Sequence, residues 1–212
     1  MGVYDAIIQI ADGTYTITRA IELKSIIGSG QIIIRGNTTT PSNVIIFGNN
    51  CSVFQSTATN GITLLEGIRI TASSSGNGMT VALGATVHLS NIEFHAVPWF
   101  HVALAGGMVV CTNNYSVTGD PGFGHILCEW NGLFLCQGRT VTVSGRNFGT
   151  SNGFVFAQWD GLVDFVNCSF TGSATGKQYT ANNGGKIRGS VTGNFPGNLS
   201  GTTSNGGFYG IF

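Results

Sequence analysis

The segment His125–Gly132 reads HILCEWNG, and a related segment, FVFAQWDG, occupies Phe154–Gly161, 29 residues later. A second apolar run follows each copy, LFLC after the first and LVDF after the second. Internal repeats with periods of roughly 20–50 residues are typical of architectures in which successive turns of the chain stack on one another. The repeat therefore predicts a stacked fold in which Trp130 and Trp159 lie in one column.

The same half-pattern, an apolar strand and a short turn that ends near a glycine, recurs through much of the chain. It occurs at Met79–Gly84, His101–Gly107, His125–Gly132, Phe154–Gly161, Tyr179–Gly185 and finally Phe208–Phe212. Starts that lie 22, 24, 29, 25 and 29 residues apart fit broad coils with loops of variable length. β-Branched residues and alternation with period two dominate, so each coil is expected to contribute short parallel strands. We therefore predict an all-β solenoid.

The composition narrows the function classes. The 212 residues fit one domain, 1–212, and only 8% are charged, against about 25% in ordinary globular chains. A formal net charge of zero argues against a nucleic-acid partner, and no apolar run reaches the roughly 20 residues of a membrane span. The five cysteines lack the paired spacing of a disulfide framework or zinc site. No cofactor or metal is predicted.

Alternation after each turn glycine indicates which residues face the core. One set carries no charge in any coil and is predicted to point inward: Val87, Leu89, Val109, Cys111, Phe134, Cys136, Val163 and Phe165. Cys111 and Cys136 would then be neighbours in one core column, as small apolar residues. The opposite set includes His88, Asp164, Lys186 and Arg188, and also an apolar column formed by Val110, Leu133, Leu135 and Leu162. An outward apolar column predicts a subunit interface.

Two histidines open successive half-patterns. His101 and His125 align with Phe154, Tyr179 and Phe208 in later copies. A histidine in an aromatic column is expected to be a packing residue, and a general base or pH sensor is the alternative.

Several stretches are similar to one known family. They are Ile8–Thr16, Ile33–Asn37, Thr39–Ile46, Asn194–Asn198, Gly201–Thr203 and Gly206–Gly207. These stretches resemble the right-handed parallel β-helix domains of phage and prophage tail fibres and tailspikes, which share their fold with pectate lyases. The resemblance implies a right-handed parallel β-helix, here of about 8–9 coils, with residues 186–212 as its last coil and C-terminal end. Such domains have a cap upstream of the first coil, which we expect this chain to lack.

The resemblance also implies a biological setting. Members of this family form homotrimers on the virion tail, contact other tail proteins and act at the bacterial surface after synthesis in the host cytoplasm. Some members cleave capsule or lipopolysaccharide and others only bind it. Whether this chain is an enzyme or a binding protein must therefore be argued from the residues of its site. We expect a fibre component that binds a host-surface polysaccharide or another receptor. A depolymerase and a purely structural fibre shaft are the alternatives.

Hydrolysis of a glycosidic bond requires two carboxyl groups, about 6.5–9.5 Å apart in an inverting enzyme. Glu129, Asp160 and Asp164 form the only credible cluster of carboxylates. The repeat places Glu129 beside Gln158 on the next coil, and therefore close to Asp160. Solvated polar residues in a turn explain the same cluster.

Sugar binding requires aromatic faces with hydrogen-bonding groups beside them. Candidate binding residues are Trp130, Trp159, Glu129, Asn131, Gln158 and Asp160, with Trp99 in a second aromatic loop. The alternative is that these tryptophans are buried between subunits.

Overall fold

The computed structural model describes residues 4–24, 30–57, 61–190 and 194–212. These residues form β-strands without an α-helix, and a single 3-10 turn at Pro41–Asn43. The strands are β1 (Ala6–Gln9), β2 (Gly13–Ile17), β3 (Ile21–Leu23), β4 (Ile32–Arg35), β5 (Val44–Asn49), β6 (Phe54–Ser56), β7 (Ile62–Glu66), β8 (Arg69–Ser73), β9 (Met79–Ala82), β10 (Thr86–Ser90), β11 (Glu93–Phe94), β12 (Phe100–Ala105), β13 (Met108–Cys111), β14 (Tyr115–Val117), β15 (Gly124–Glu129), β16 (Leu133–Leu135), β17 (Thr140–Asn147), β18 (Gly153–Ala157), β19 (Leu162–Asp164), β20 (Ser169–Thr175), β21 (Tyr179–Ala181), β22 (Lys186–Gly189), β23 (Thr202–Thr203) and β24 (Phe208–Ile211).

These strands form three sheets, and each strand pairs mainly with the strands three positions away in sequence. In the described residues, sheet A contains β1, β4, β7, β10, β13, β16, β19, β22 and β24 in that order. Sheet B runs from β2 to β20 and sheet C from β3 through β21 to β23. Every sheet is parallel throughout. The predicted all-β, parallel-stranded architecture is confirmed, and it is compatible with a parallel β-helix.

The register agrees with the 29-residue repeat. Leu133 pairs with Leu162, Phe134 with Val163, and Leu127 with Phe156, each at an offset of 29 residues. A stacked chain keeps this offset because the backbone of each residue hydrogen-bonds to the residues that flank its equivalent on the adjacent coil; Leu162 N, for example, donates to Gly132 O, next to its partner Leu133.

The residues predicted to face the core are all buried. Val87, Leu89, Val109, Cys111, Phe134, Cys136, Val163 and Phe165 belong to one apolar cluster that extends from Leu23 to Phe195. Cys168 joins the cysteine column, with its Sγ 3.8 Å from that of Cys136. Burial raises the pKa of the Cys128 thiol to about 12, so this thiol is protonated at neutral pH.

The opposite face of sheet A differs from the prediction in two respects. Val110, Leu133, Leu135 and Leu162 are half-buried on this face, but the register divides them into two adjacent columns, Val110 with Leu135 and Leu133 with Leu162. Asp164 is buried, with 1% of its surface exposed, so its expected place among solvated side chains is wrong. Its carboxylate accepts hydrogen bonds from Gln137 Nε2 at 2.7 Å, the Val166 N–H at 2.9 Å and Arg188 Nη1 at 2.9 Å. These donors come from neighbouring strands and a turn, and they close over the carboxylate.

The predicted aromatic column is correct only in part. The register places His101, His125 and Phe154 side by side in sheet C. Tyr179 pairs with Val155, one residue out of this column, and Phe208 belongs to sheet A. The loop before Tyr179 shifts the register by one residue, which alignment of starting residues does not detect.

Among the residues that the structure describes, no helix has the length and apolar character to cross a membrane. The predicted domain 1–212 includes four short stretches outside the described residues, and one of them, 191–193, falls within the predicted last coil.

Candidate functional site

Short turns connect the strands of sheet C to the strands of sheet A. In two of these turns, the Gly132 N–H donates to Glu129 O and the Gly161 N–H donates to Gln158 O, both at 2.9 Å. The central residues have positive φ angles: 55° at Trp130, 59° at Asn131, 46° at Trp159 and 60° at Asp160. This is the pattern of a type I′ turn, whose two central residues are left-handed. Each turn therefore projects a tryptophan and a polar residue outward.

The glycine that ends these turns is explained by close approach to the preceding coil. A Cβ atom on Gly161 would lie 2.2 Å from Cys128 O, and one on Gly185 would lie 2.2 Å from Ala157 O. Only glycine allows the backbones to approach this closely. The repeated glycine therefore stacks the turns in register and brings the two tryptophans together.

The tryptophans occupy a backbone conformation that disfavours them. Leu83, Asn183 and Asn205 hold the equivalent first central position of other turns in this column, all with positive φ. Asparagine tolerates this conformation, whereas it costs other L-residues about 1–2 kcal/mol. Strained residues of this kind concentrate at functional sites. Trp130 and Trp159, like Leu83, therefore occupy positions whose backbone suits asparagine better.

The two indole rings lie against each other and remain accessible. Their centroids are 4.6 Å apart and their planes are tilted by 34°. The exposed fractions are 56% for Trp130 and 39% for Trp159. A paired aromatic surface of this exposure is available to a ligand or a protein partner. We call these two residues the tryptophan pair.

Polar side chains flank the tryptophan pair, as the sequence predicts. Gln158 Nε2 donates to Glu129 Oε2 at 2.9 Å, which confirms that these residues are neighbours on adjacent coils. Asn131 and Asp160 are exposed beside the rings. Asp160 Oδ1 leans over the next turn, 2.9 Å from where a Cβ of Gly184 would lie. Amide and carboxylate groups that can bind hydroxyl groups therefore border the aromatic surface.

The structure separates Asp164 from this group. Asp164 lies at the end of β19 in sheet A, buried and bonded to three donors, whereas Glu129 and Asp160 border the tryptophan pair. A carboxylate enclosed in this way is not positioned to transfer a proton to a ligand. The hydrolytic cluster is therefore reduced to Glu129 and Asp160.

Trp99 is also exposed but belongs to a different surface. It precedes β12, whereas Trp130 follows β15, so the two lie at opposite ends of the sheet C strands. Trp99 and Phe123 occupy equivalent positions on adjacent coils and are 43% and 52% exposed. The sequence analysis does not identify Phe123, because this residue lies outside the repeated half-pattern, which begins at His125. The predicted binding set therefore divides between two separate aromatic surfaces.

The two aligned histidines form a hydrogen-bonded chain inside the core. His101 Nε2 lies 2.8 Å from His95 O, His101 Nδ1 lies 2.9 Å from His125 Nδ1, and His125 Nε2 lies 3.0 Å from the Tyr115 hydroxyl. A carbonyl only accepts, so His101 Nε2–H donates to it and His101 Nδ1 accepts from His125 Nδ1–H. The Tyr115 O–H then donates to His125 Nε2. Both imidazoles are neutral and every ring nitrogen is paired.

Packing supports the interpretation of these histidines as core residues. Both are completely buried, and His125 stacks on Phe154 with a centroid distance of 4.9 Å. Burial lowers the pKa of His101 to about 3, and burial together with His101 lowers that of His125 well below its ordinary value. Their buried position leaves neither histidine in contact with a ligand at the surface.

Within the described ranges, no three histidine, cysteine, aspartate or glutamate side chains are grouped closely enough to hold a metal ion. No known protein family, curated protein or solved structure matches the chain.

Proposed function

We propose that this protein is a component of a phage tail fibre or tailspike that binds a host-surface polysaccharide or another receptor through the tryptophan pair. The observation that carries the proposal is the pairing of two exposed indole rings in left-handed turns. A tryptophan that served only packing would be buried in a relaxed conformation. Here, the strained backbone instead keeps both rings at the surface.

The chemistry around the rings suits a sugar. The indole faces stack on the apolar face of a pyranose ring, and the side chains of Glu129, Asn131, Gln158 and Asp160 bind its hydroxyl groups. Such contacts are shallow and individually weak. Several copies of the fibre that bind one polysaccharide at the same time would raise the overall avidity by orders of magnitude.

The proposed assembly is a homotrimer of right-handed β-helices with about 8–9 coils each, which contacts other virion tail proteins. The resemblance to tail-fibre domains and the nine described strands of sheet A support the fold. The two adjacent half-buried columns, Val110 with Leu135 and Leu133 with Leu162, support the subunit interface. The tryptophan pair lies in the turns next to these columns, so it would border the proposed interface.

The test combines glycan binding with oligomeric state. Trp130→Ala with Trp159→Ala is expected to lose pull-down of host capsule or lipopolysaccharide while the sedimentation coefficient stays that of the wild type. Trp99→Ala is the control, because it removes an equally exposed tryptophan from the other aromatic surface. If the double variant still binds glycan but loses its trimer, the tryptophans belong to the interface and the proposal is wrong.

The same samples distinguish the other functions. A depolymerase that uses Glu129 and Asp160 would release new reducing ends from the polysaccharide, and Asp160→Asn would stop this release. A structural shaft would bind no glycan at all.

A further inference from the structure

One turn in the tryptophan column is shorter than its neighbours. Ala105 pairs with Ala82 and Glu129, and Met108 pairs with Thr86 and Leu133. Two glycines, Gly106 and Gly107, connect Ala105 to Met108, whereas three residues connect the equivalent strands on both adjacent coils. The coil between Leu83 and Trp130 therefore carries no side chain in its turn.

This short turn leaves a slot in the column. Leu83 forms one wall and is 69% exposed, and Trp130 forms the other. A Cβ on Gly106 would make a tight contact of 3.2 Å with Trp130 O and an ordinary one of 3.9 Å with Leu83 N. No other described atom lies within 4 Å of this Cβ, so the rest of the space around it is open. Gly84 N donates to Gly106 O at 2.7 Å and Gly106 N donates to Glu129 O at 3.2 Å, which keeps the glycine floor in register with both walls.

The width of the slot matches a single ring. Two coil spacings of about 4.8 Å separate the walls by roughly 9.6 Å. The centre of a ring midway between the walls would lie about 4.8 Å from the centre of each wall residue. Because the ring and the side chains each have thickness, their surfaces would be in van der Waals contact on both sides. Trp159 lies against Trp130 from the following coil, so the side of Trp130 toward Gly106 is the side that no tryptophan of the column occupies.

We propose that this slot binds one pyranose ring edge-on between Leu83 and Trp130, and that the ring is neutral or an amino sugar. The inference rests on the proposed function, and it specifies the kind of sugar and the two side chains that contact it. Glu129 flanks the slot beside Ala105, and Asp160 lies one coil further along. The described residues that border the slot include no lysine or arginine: Leu83, Gly84, Gly106, Gly107, Glu129 and Trp130. Two carboxylates without a basic partner disfavour uronic and sialic acids.

Trp159 acts in this arrangement as a positioning residue. It stacks on Trp130 from the side away from the slot, so it holds the ring that contacts the sugar and does not itself touch that sugar. Trp130→Ala is therefore expected to weaken binding at least tenfold more than Trp159→Ala.

Gly106→Asn tests the slot. Asparagine tolerates the left-handed backbone, which has a φ of 73° here, and its side chain fills the open space. The matched control is Gly138→Asn, because Gly138 has a φ of 64° and no atom within 4 Å of its added Cβ among the described residues. The probes are immobilised dextran, mannan and chitosan oligomers, compared with polygalacturonate and polysialic acid, whose rings are all acidic.

The wild type is expected to bind at least one neutral or amino-sugar probe more tightly than either acidic probe. Gly106→Asn is expected to weaken this binding at least tenfold, and Gly138→Asn to leave it unchanged. Leu83→Ala, which widens the slot at an exposed position, is expected to weaken binding about threefold and covers the case in which Gly106→Asn does not fold.

Preference for an acidic probe, or unchanged binding in both slot variants, would overturn the slot. If Trp130→Ala with Trp159→Ala abolishes binding but Gly106→Asn does not, the proposed function stands and the slot is wrong. If the wild type binds none of the probes and no host polysaccharide, both fail.

Discussion

At the residue scale, both members of the tryptophan pair have an unfavourable positive φ angle and an exposed side chain. Trp130 has a φ of 55°, a conformation that Asn183 adopts in an equivalent turn two coils later. The same backbone therefore suits an asparagine better than a tryptophan. Under the proposed function, a ligand that contacts the ring would offset this cost.

Trp130→Asn is accordingly expected to change the free energy of unfolding by no more than about 1 kcal/mol, because relief of about 1–2 kcal/mol of backbone strain offsets the lost ring pair, worth about 0.5–1.5 kcal/mol. Urea denaturation measures the change. Phe134→Ala, at a fully buried ring, is the comparison and should cost about 3–5 kcal/mol. A loss of this larger size in Trp130→Asn would show that the indole is structural.

The buried histidines predict a stability that falls in acid. The pKa of His101 is lowered to about 3 by burial, and that of His125 is lowered in the same direction. Below pH 6.5 the unfolded chain therefore binds protons that the folded chain does not, so stability is lost as the pH falls from about 6.5 toward 3. His101 alone contributes a loss of about 2 kcal/mol at pH 5.

Urea midpoints at pH 7 and pH 5 test this expectation. His101→Phe with His125→Phe should flatten the difference, since Phe154 already occupies the next position of the column. His88, whose pKa is also lowered by partial burial, remains in this variant and accounts for the residual slope. An unchanged slope in the double variant would place the pH dependence elsewhere.

At the element scale, side-chain hydrogen bonds add to the backbone hydrogen bonds that pair adjacent strands. Asp164 on β19 accepts hydrogen bonds from Gln137, which follows β16, and from Arg188 on β22. One buried carboxylate therefore connects three consecutive strands of sheet A. Because Arg188 is partly exposed, its ion pair with Asp164 contributes less to stability than the hydrogen bonds from Gln137 Nε2 and the Val166 N–H.

Asp164→Asn is expected to cost about 2 kcal/mol of unfolding free energy, because an amide places an N–H group against donors that lose their acceptor. Asp160→Asn is the matched control on an exposed turn and should change stability by less than about 0.5 kcal/mol. Thermal and urea denaturation measure both. If Asp164→Asn left stability unchanged but abolished glycan cleavage, Asp164 would be catalytic after all.

At the scale of the whole molecule, the outer face of sheet A changes character along its length. Met108, Leu133 and Leu162 follow one another in a column, and the next residue in that column is Lys186. The apolar portion therefore ends where the charged portion begins. The proposed subunit interface would be confined to the apolar portion.

Leu133→Glu with Leu162→Glu is expected to convert the proposed trimer to a species of about one third of its mass, because carboxylates in an apolar interface lose their hydration. Sedimentation equilibrium measures the mass, and circular dichroism should keep its β-sheet spectrum. Lys186→Glu, in the same column but beyond the apolar portion, is expected to leave the mass unchanged. A double variant that keeps its full mass would show that the subunits meet elsewhere.

The sequence by itself determined the parallel stacking, the residues that face the core, and the meeting of Trp130 with Trp159 and of Glu129 with Gln158. Each of these follows from repetition, because a constant offset between coils places equivalent residues next to each other.

Only the tertiary structure decided the features that depend on contacts across coils or on the length of one loop. Asp164 is buried although its position alternates outward, because donors from neighbouring elements enclose it. Tyr179 leaves the aromatic column because the preceding loop shifts its register by one residue. The turn at Gly106 is a residue shorter than its neighbours, a difference that matters only once the coils are stacked.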